Sequence, residues 1–320
     1  MKILITGGAG FLGQRLAAHL LQQSDLAQLT LADVVLPANP TDDPRVKTLQ
    51  ADLTDAEATN ALIQPDLTAI YHLAAVVSGQ AEANFDLGMR VYCDGTRNLL
   101  EAVRQRVPGA MFIFASSLAV FGGELPEVIT DQTVVMPQSS YGMQKAVCEL
   151  WVNDYSRKGF IDGRVLRLPT VCVRPGKPNA AASSIASSNI REPVGGNGAI
   201  CPVDLDLALW LSSPEAVTTN LAHALTLKAE QFEYTRTLNL PGITVSVRAM
   251  LDALAAVAGA EARALVECTY DETISRIVAS WPSRFEVSLA LGRGFEGVDT
   301  FEDIVRAFIR TQDAEAKALS

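Results

Sequence analysis

The sequence predicts an α/β fold, and three observations predict it. Apolar runs of strand length alternate with stretches of helical spacing through the first half of the chain, and such alternation implies a parallel sheet covered on both faces. A GxxGxxG turn made by Gly7, Gly10 and Gly13 joins the first strand-like run to the first helical one. At 320 residues the chain exceeds what one hydrophobic core usually organises. Together these specify a Rossmann-type doubly wound parallel sheet with a smaller C-terminal substrate-binding lobe.

In chain order, the strand-like runs are Lys2 to Thr6, Leu29 to Ala32, Ala69 to Ala74, Met111 to Ala115 and Arg164 to Leu168. Helical spacing covers Phe11 to Leu21 and Val91 to Arg106. Past Arg167 the texture changes, because Pro169, Pro175 and Pro178 break the pattern and residues 179–201 are rich in Ala, Ser and Gly. Pro202 to Leu227 then reads as helical, Thr237 to Leu240 as a strand and Val245 to Val257 as a helix. The expected division is a nucleotide-binding domain at 1–170, to which 205–240 returns, and a substrate-binding lobe made of 171–204 and 241–320.

Composition narrows the function classes. Hydrophobic residues make up 48% and charged residues 19%, enough apolar material for packed cores. A formal net charge of −10, with no cluster of Lys and Arg, argues against nucleic acid as a partner. Cys93, Cys148, Cys172, Cys201 and Cys268 are widely spaced and show no metal-ligand spacing, so reduced core thiols and no metal are expected. Met1 runs directly into a strand pattern and no stretch reads as a membrane span, which gives a cytoplasmic expectation and no membrane partner.

The glycine turn reads as a phosphate cradle. Its glycines permit unusual backbone angles, let the backbone approach a pyrophosphate and allow close helix packing, and Phe11 and Leu12 sit between them at the helix N-terminus. About twenty residues on, Asp33 ends the second strand, where a carboxylate accepts hydrogen bonds from a ribose 2′-OH and repels a 2′-phosphate. No Arg or Lys flanks it. The expected cofactor is NAD.

Tyr141 and Lys145 stand one helical turn apart and share a face. A tyrosine acting as a base near neutrality needs its pKa lowered by about 2 to 3 units, roughly 3 to 4 kcal/mol of preferential phenolate stabilisation, which a neighbouring ammonium helps to supply.

The glycine turn, Asp52-Leu53, His72-Leu73-Ala74-Ala75, Ser116-Ser117 and Tyr141-Gly142-Met143-Gln144-Lys145 resemble the ordered landmarks of the extended short-chain dehydrogenases/reductases. The resemblance implies a Ser117, Tyr141 and Lys145 catalytic set, with Tyr141 and Lys145 also touching NAD. It places Asp52, Leu53, Ala74, Ala75, Pro169 and Val171 on the cofactor and implies a homodimer. His72 reads as a packed strand-end residue without chemistry. Where the family often carries Asn, four residues before the Thr of Gly95-Thr96, this chain has Tyr92.

Leu118-Ala119 follow Ser117 where the family's dehydratases carry an Asp-Glu pair, and neither side chain transfers protons. The stretch from Arg164 to Ser184 and the Trp281-Pro282-Ser283-Arg284 segment resemble the sugar-acid-oxidising branch of the family. That resemblance implies oxidation of the C2 hydroxyl of a four-carbon aldonate to a 2-oxo acid by NAD⁺. Arg174 suits the substrate carboxylate, since a guanidinium offers two parallel donors, with Lys177 and Arg284 as further cations. Ser78, in the loop after the Ala69 to Ala74 run, together with Ser117 and Tyr141, completes the expected substrate contacts. A nucleotide-sugar epimerase and a non-catalytic NAD-binding sensor are the alternatives.

Overall fold

The computed structural model describes residues 1–176, 184–232, 234–298 and 300–319, without the side chains of residue 273 and residues 314–319. Its strands are β1 (Lys2–Thr6), β2 (Gln28–Asp33), β3 (Val46–Gln50), β4 (Ala69–His72), β5 (Met111–Ser117), β6 (Asp162–Leu168), β7 (Thr170–Val171), β8 (Ala199–Cys201), β9 (Ala208–Ser212), β10 (Thr237–Asn239), β11 (Ile243–Ser246) and β12 (Val266–Cys268). Seven of them make one sheet in the order β10-β6-β5-β4-β1-β2-β3, every pair parallel. Strands β1, β4, β5 and β6 read as nearly continuous apolar runs because both sheet faces are covered by helices. One face packs Ile3, Ile5, Leu16 and Leu221; the other packs Leu4, Ile70, Leu99 and Phe112. The strand order reverses between β1 and β4, and ligands of open α/β sheets bind at such a switch point.

A separate apolar core gathers Cys172, Ile190, Leu211, Leu254 and Val305 beneath the three-stranded β11-β9-β7 sheet and the two-stranded β12-β8 pair. The stretch 205–240 divides between the cores. Strand β9 pairs with β11 and β7, whereas the helix Pro214–His223 and β10 pack with the large sheet. The helical reading of Pro202 to Leu227 is corrected accordingly: Ala208-Leu209-Trp210-Leu211 is a buried strand, because a short run apolar on both faces carries no period that separates strand from helix. Likewise Val245 and Ser246 end β11 before the helix Val247–Ala258 begins. Cys268, expected in a core, is exposed at the end of β12, while the other four cysteines are buried. Among the described residues no helix is long and apolar enough to cross a membrane.

Two buried polar clusters tie the sheet to its helices. Glu149, on the helix Ser140–Arg157, receives both Nε and Nη2 of Arg167 at 2.7–3.2 Å and the Ser116 hydroxyl. Ser116, Glu149 and Arg167 are 2%, 4% and 7% exposed. The register sets Ser116 beside Arg167 and Ser117 beside Leu168, so one carboxylate clamps β5, β6 and the helix together. His72 is held between the Thr6 hydroxyl at 2.8 Å and the Thr96 hydroxyl at 2.9 Å. Its burial, with the Lys145 charge nearby, pushes its pKa down to about 3.

Glu149→Leu strands a buried guanidinium and should cost about 3 to 5 kcal/mol, read as a lower urea midpoint. The double variant Glu149→Leu/Arg167→Met should recover most of that loss; no recovery would show that the cost is one of packing alone. His72 stays neutral in the fold while the unfolded side chain protonates near 6.5, so its contribution is complete above that pH and declines as pH falls toward 3. Urea denaturation of His72→Gln between pH 6.5 and 5 should therefore show a shallower acid loss than the parent, the difference in slope growing to about 1.4 kcal/mol per pH unit toward pH 5.

Candidate active site

The glycine turn lies at the switch point. Gly7 adopts φ +75°, and a Cβ built on it would fall 2.6 Å from the Ala74 nitrogen; one on Gly13 would fall 2.2 Å from the Gly7 carbonyl oxygen. Side chains there would drive the turn off β4 and the helix Phe11–Leu20 off the turn. Gly7, Gly10, Phe11, Leu12 and Gly13 line one end of a cavity of about 630 Å³, and Ala75, Pro169 and Val171 line its wall. Asp33 ends β2 next to the turn: its carboxylate accepts the Ala9 N–H at 3.1 Å and the Val34 N–H at 2.8 Å. The bare backbone of the turn, the helix N-terminus beside it and the acidic side chain beyond fit a dinucleotide without 2′-phosphate.

Four residues expected on the cofactor lie outside the cavity lining, Asp33 among them. Asp52 is exposed and caps its own turn through the Thr54 N–H at 2.9 Å. Leu53 is 8% exposed and belongs to the core, its carbonyl accepting from the Asn98 side chain at 2.9 Å. Ala74 is half-buried beneath the glycine turn.

At the other end of the cavity Ser117, Tyr141 and Lys145 come together from two elements. Ser117 ends β5, and its Oγ accepts the Ala119 N–H at 3.2 Å. The helix carrying Tyr141 and Lys145 is capped by the Ser139 hydroxyl, which accepts the Gly142 N–H at 3.1 Å. Burial raises the Tyr141 phenol above its ordinary value, against the pull of the Ser117 hydrogen bond and the Arg174 charge. Lys145, 3% exposed, donates to the Ala115 carbonyl at 2.7 Å, and burial brings its pKa down to about 8 against the opposing charges of Cys148 and Glu149.

Arg174 enters the same cavity. Its backbone is fixed at both ends, its N–H donating to Ser187 at 3.1 Å and its carbonyl accepting from Arg191 at 2.9 Å. Arg191 and Arg167 each pair with a glutamate, but among the described residues no carboxylate lies within ion-pair distance of Arg174. Arg284 instead pairs with Glu127 at 2.6 Å, away from the cavity, and Lys177 and residues 179–183 lie outside the described residues. Ser78 lines the cavity as the first residue of the helix Ser78–Ala83, not from a loop.

Glu82, Ile277, Ser280 and Trp281 also line the cavity and went unread as site residues. Glu82 accepts the Ser140 N–H at 2.8 Å, joining its short helix to the one that carries Tyr141. Ile277, Ser280 and Trp281 come from the far end of the chain, and the one local signal for them is Trp281 followed by Pro282 where the helix Glu272–Ala279 stops.

Residues 3–201 match the family described as NAD dependent epimerase/dehydratase. Over 311 residues the chain is 51% identical to D-erythronate dehydrogenase of Haemophilus influenzae, covering 97% of this chain and 99% of that one. Over 318 residues it is 48% identical to D-erythronate dehydrogenase of Cupriavidus necator, covering 97% and 98%. A solved structure described as a nucleoside-diphosphate-sugar epimerase from Agrobacterium tumefaciens superposes with a TM-score of 0.93 at 39% identity, covering 97% of this chain and 94% of that one. The chain therefore belongs to the NAD dependent epimerase/dehydratase family of extended short-chain dehydrogenases/reductases, and NAD is its cofactor.

Proposed function

We propose that this protein is an NAD-dependent sugar-acid dehydrogenase that oxidises the C2 hydroxyl of a D-erythronate-like aldonate to the 2-oxo acid. The observation that carries this reading is the Arg174 guanidinium, which enters the cavity beside Tyr141 with no carboxylate of its own among the described residues. A desolvated cation of this kind calls for an anion, and a substrate carboxylate meets it with two parallel hydrogen bonds. The two D-erythronate dehydrogenases similar to the chain over nearly its whole length support the same substrate class.

In this mechanism Arg174 fixes the carboxylate and so the position of C2. The Ser117 hydroxyl hydrogen-bonds the reacting oxygen, and Tyr141, as phenolate, takes the hydroxyl proton as the C2–H bond breaks with its electron pair. Bound NAD⁺, held by the glycine turn and Asp33, supplies the hydride acceptor and a positive charge. The Lys145 ammonium and the Arg174 guanidinium favour the phenolate, opposing the burial that favours the phenol. With neither acid nor base at positions 118 and 119, the site has no group there to eliminate water.

A second reading, a nucleotide-sugar epimerase, is favoured by the 39% identical structure of that description. It requires no net reduction of NAD⁺. Absorbance at 340 nm with NAD⁺ and a panel of C4 to C6 aldonates, uronates and nucleotide sugars separates the two. The dehydrogenase reading expects NADH with D-erythronate or a close relative; silence with every free acid, alongside interconversion of a nucleotide sugar, would sink it.

Two variants test the assigned roles. Tyr141→Phe should lower kcat by about 10² to 10⁴-fold while NADH still binds, followed by its fluorescence. Arg174→Met should act chiefly on the acid, raising its KM by about 10-fold or more, as befits loss of a charge-assisted contact of about 1.5 to 3 kcal/mol; an unchanged KM would remove Arg174 from the substrate site.

A further inference from the structure

Tyr92 occupies a π-helical turn, Met89–Asp94, that leads into the helix Gly95–Arg106. Such turns are rare and are frequently found at functional sites. Here Tyr92 is 1% exposed and reaches the cavity wall. Its hydroxyl donates to the Val76 carbonyl, which holds the ring, and the Cys148 thiol donates to its backbone carbonyl at 3.4 Å. The Lys145 ammonium sits 5.0 Å from the centroid of Tyr92 and 4.6 Å from that of Phe114, and the Tyr141 ring meets Tyr92 edge-on at 5.6 Å.

An ammonium has three donors, and the Ala115 carbonyl takes one of them. Two ring faces stand where water would otherwise solvate a buried cation, and attraction to a ring face strengthens as the cation is desolvated. We propose that Tyr92 is a positioning residue whose ring face holds Lys145 charged and aimed at the cavity. The inference rests on the proposed role of Lys145 and extends it to a residue whose hydroxyl proton is already given to the Val76 carbonyl.

Groups facing the ammonium are Tyr92 and Phe114 through their rings, the Ala115 carbonyl, Cys148 and Glu149 through charge, and the neutral His72 ring, whose pKa the Lys145 charge lowers, with Tyr141 on the next helical turn. None but Tyr92 is altered in the test. The Lys145 titration is followed by NMR on protein labelled at the lysine ε-carbon, its resonance assigned by its loss in Lys145→Met. Tyr92→Phe keeps the shape and the ring, and should leave the midpoint near that of the parent. Trifluorophenylalanine at position 92 keeps the shape and weakens the ring's electron-rich face, and should lower the midpoint by about half to one unit. Equal midpoints for the two aromatic variants would overturn the proposal. The measurement needs no substrate, so it stands or falls separately from the aldonate reading, which the 340 nm panel decides.

Discussion

The site depends on one buried carboxylate. Glu149 accepts from Arg167 on β6 and from Ser116 on β5 while standing on the helix that carries Tyr141 and Lys145. Ser117 follows Ser116, and the wall residues Pro169, Thr170, Val171 and Arg174 follow Arg167, so cavity-lining groups from three elements inherit their spacing from a single clamp. Burying it carries a desolvation penalty that a hydrophobic replacement would avoid. The directional bonds it makes in return fix strand ends that apolar packing alone would leave free to slide.

Around that clamp, the electrostatics of the site are a contest between burial and charge. Burial raises the Tyr141 phenol and lowers Lys145, disfavouring the ionised form of each. The groups that oppose burial are few and fixed: Ser117 and Arg174 for the tyrosine, Cys148 and Glu149 for the lysine. Arg174 differs from Arg167 and Arg191 in having no carboxylate within ion-pair distance among the described residues.

Much of the large sheet was legible because parallel strands write themselves as uninterrupted apolar runs and the first turn announces its shape in glycines. Gly7, Gly10 and Gly13 could be placed from spacing, and so could the shared face of Tyr141 and Lys145. Other parts left no local trace. Strand β3 shows an edge-strand pattern with all of its residues partly or fully exposed, β9 hides in a segment of helical composition, and the β12-β8 pair is a contact across sixty-odd residues of chain. Asp52 and Leu53, assigned by resemblance, lie outside the cavity lining, while Ile277 and Trp281 reach it from the last fifth of the chain. Proximity of that kind comes from topology, and residue pattern does not encode it.

The chain passes back and forth between its two cores, from Leu168 to Cys172, from Leu211 to Val217 and from Leu240 to Val245. Because the two cores are joined by several short crossings and not by one, any change in their spacing has to be shared among all of them. The consequence is mechanical: a wider mouth between the glycine turn and Trp281 needs backbone change at each crossing together.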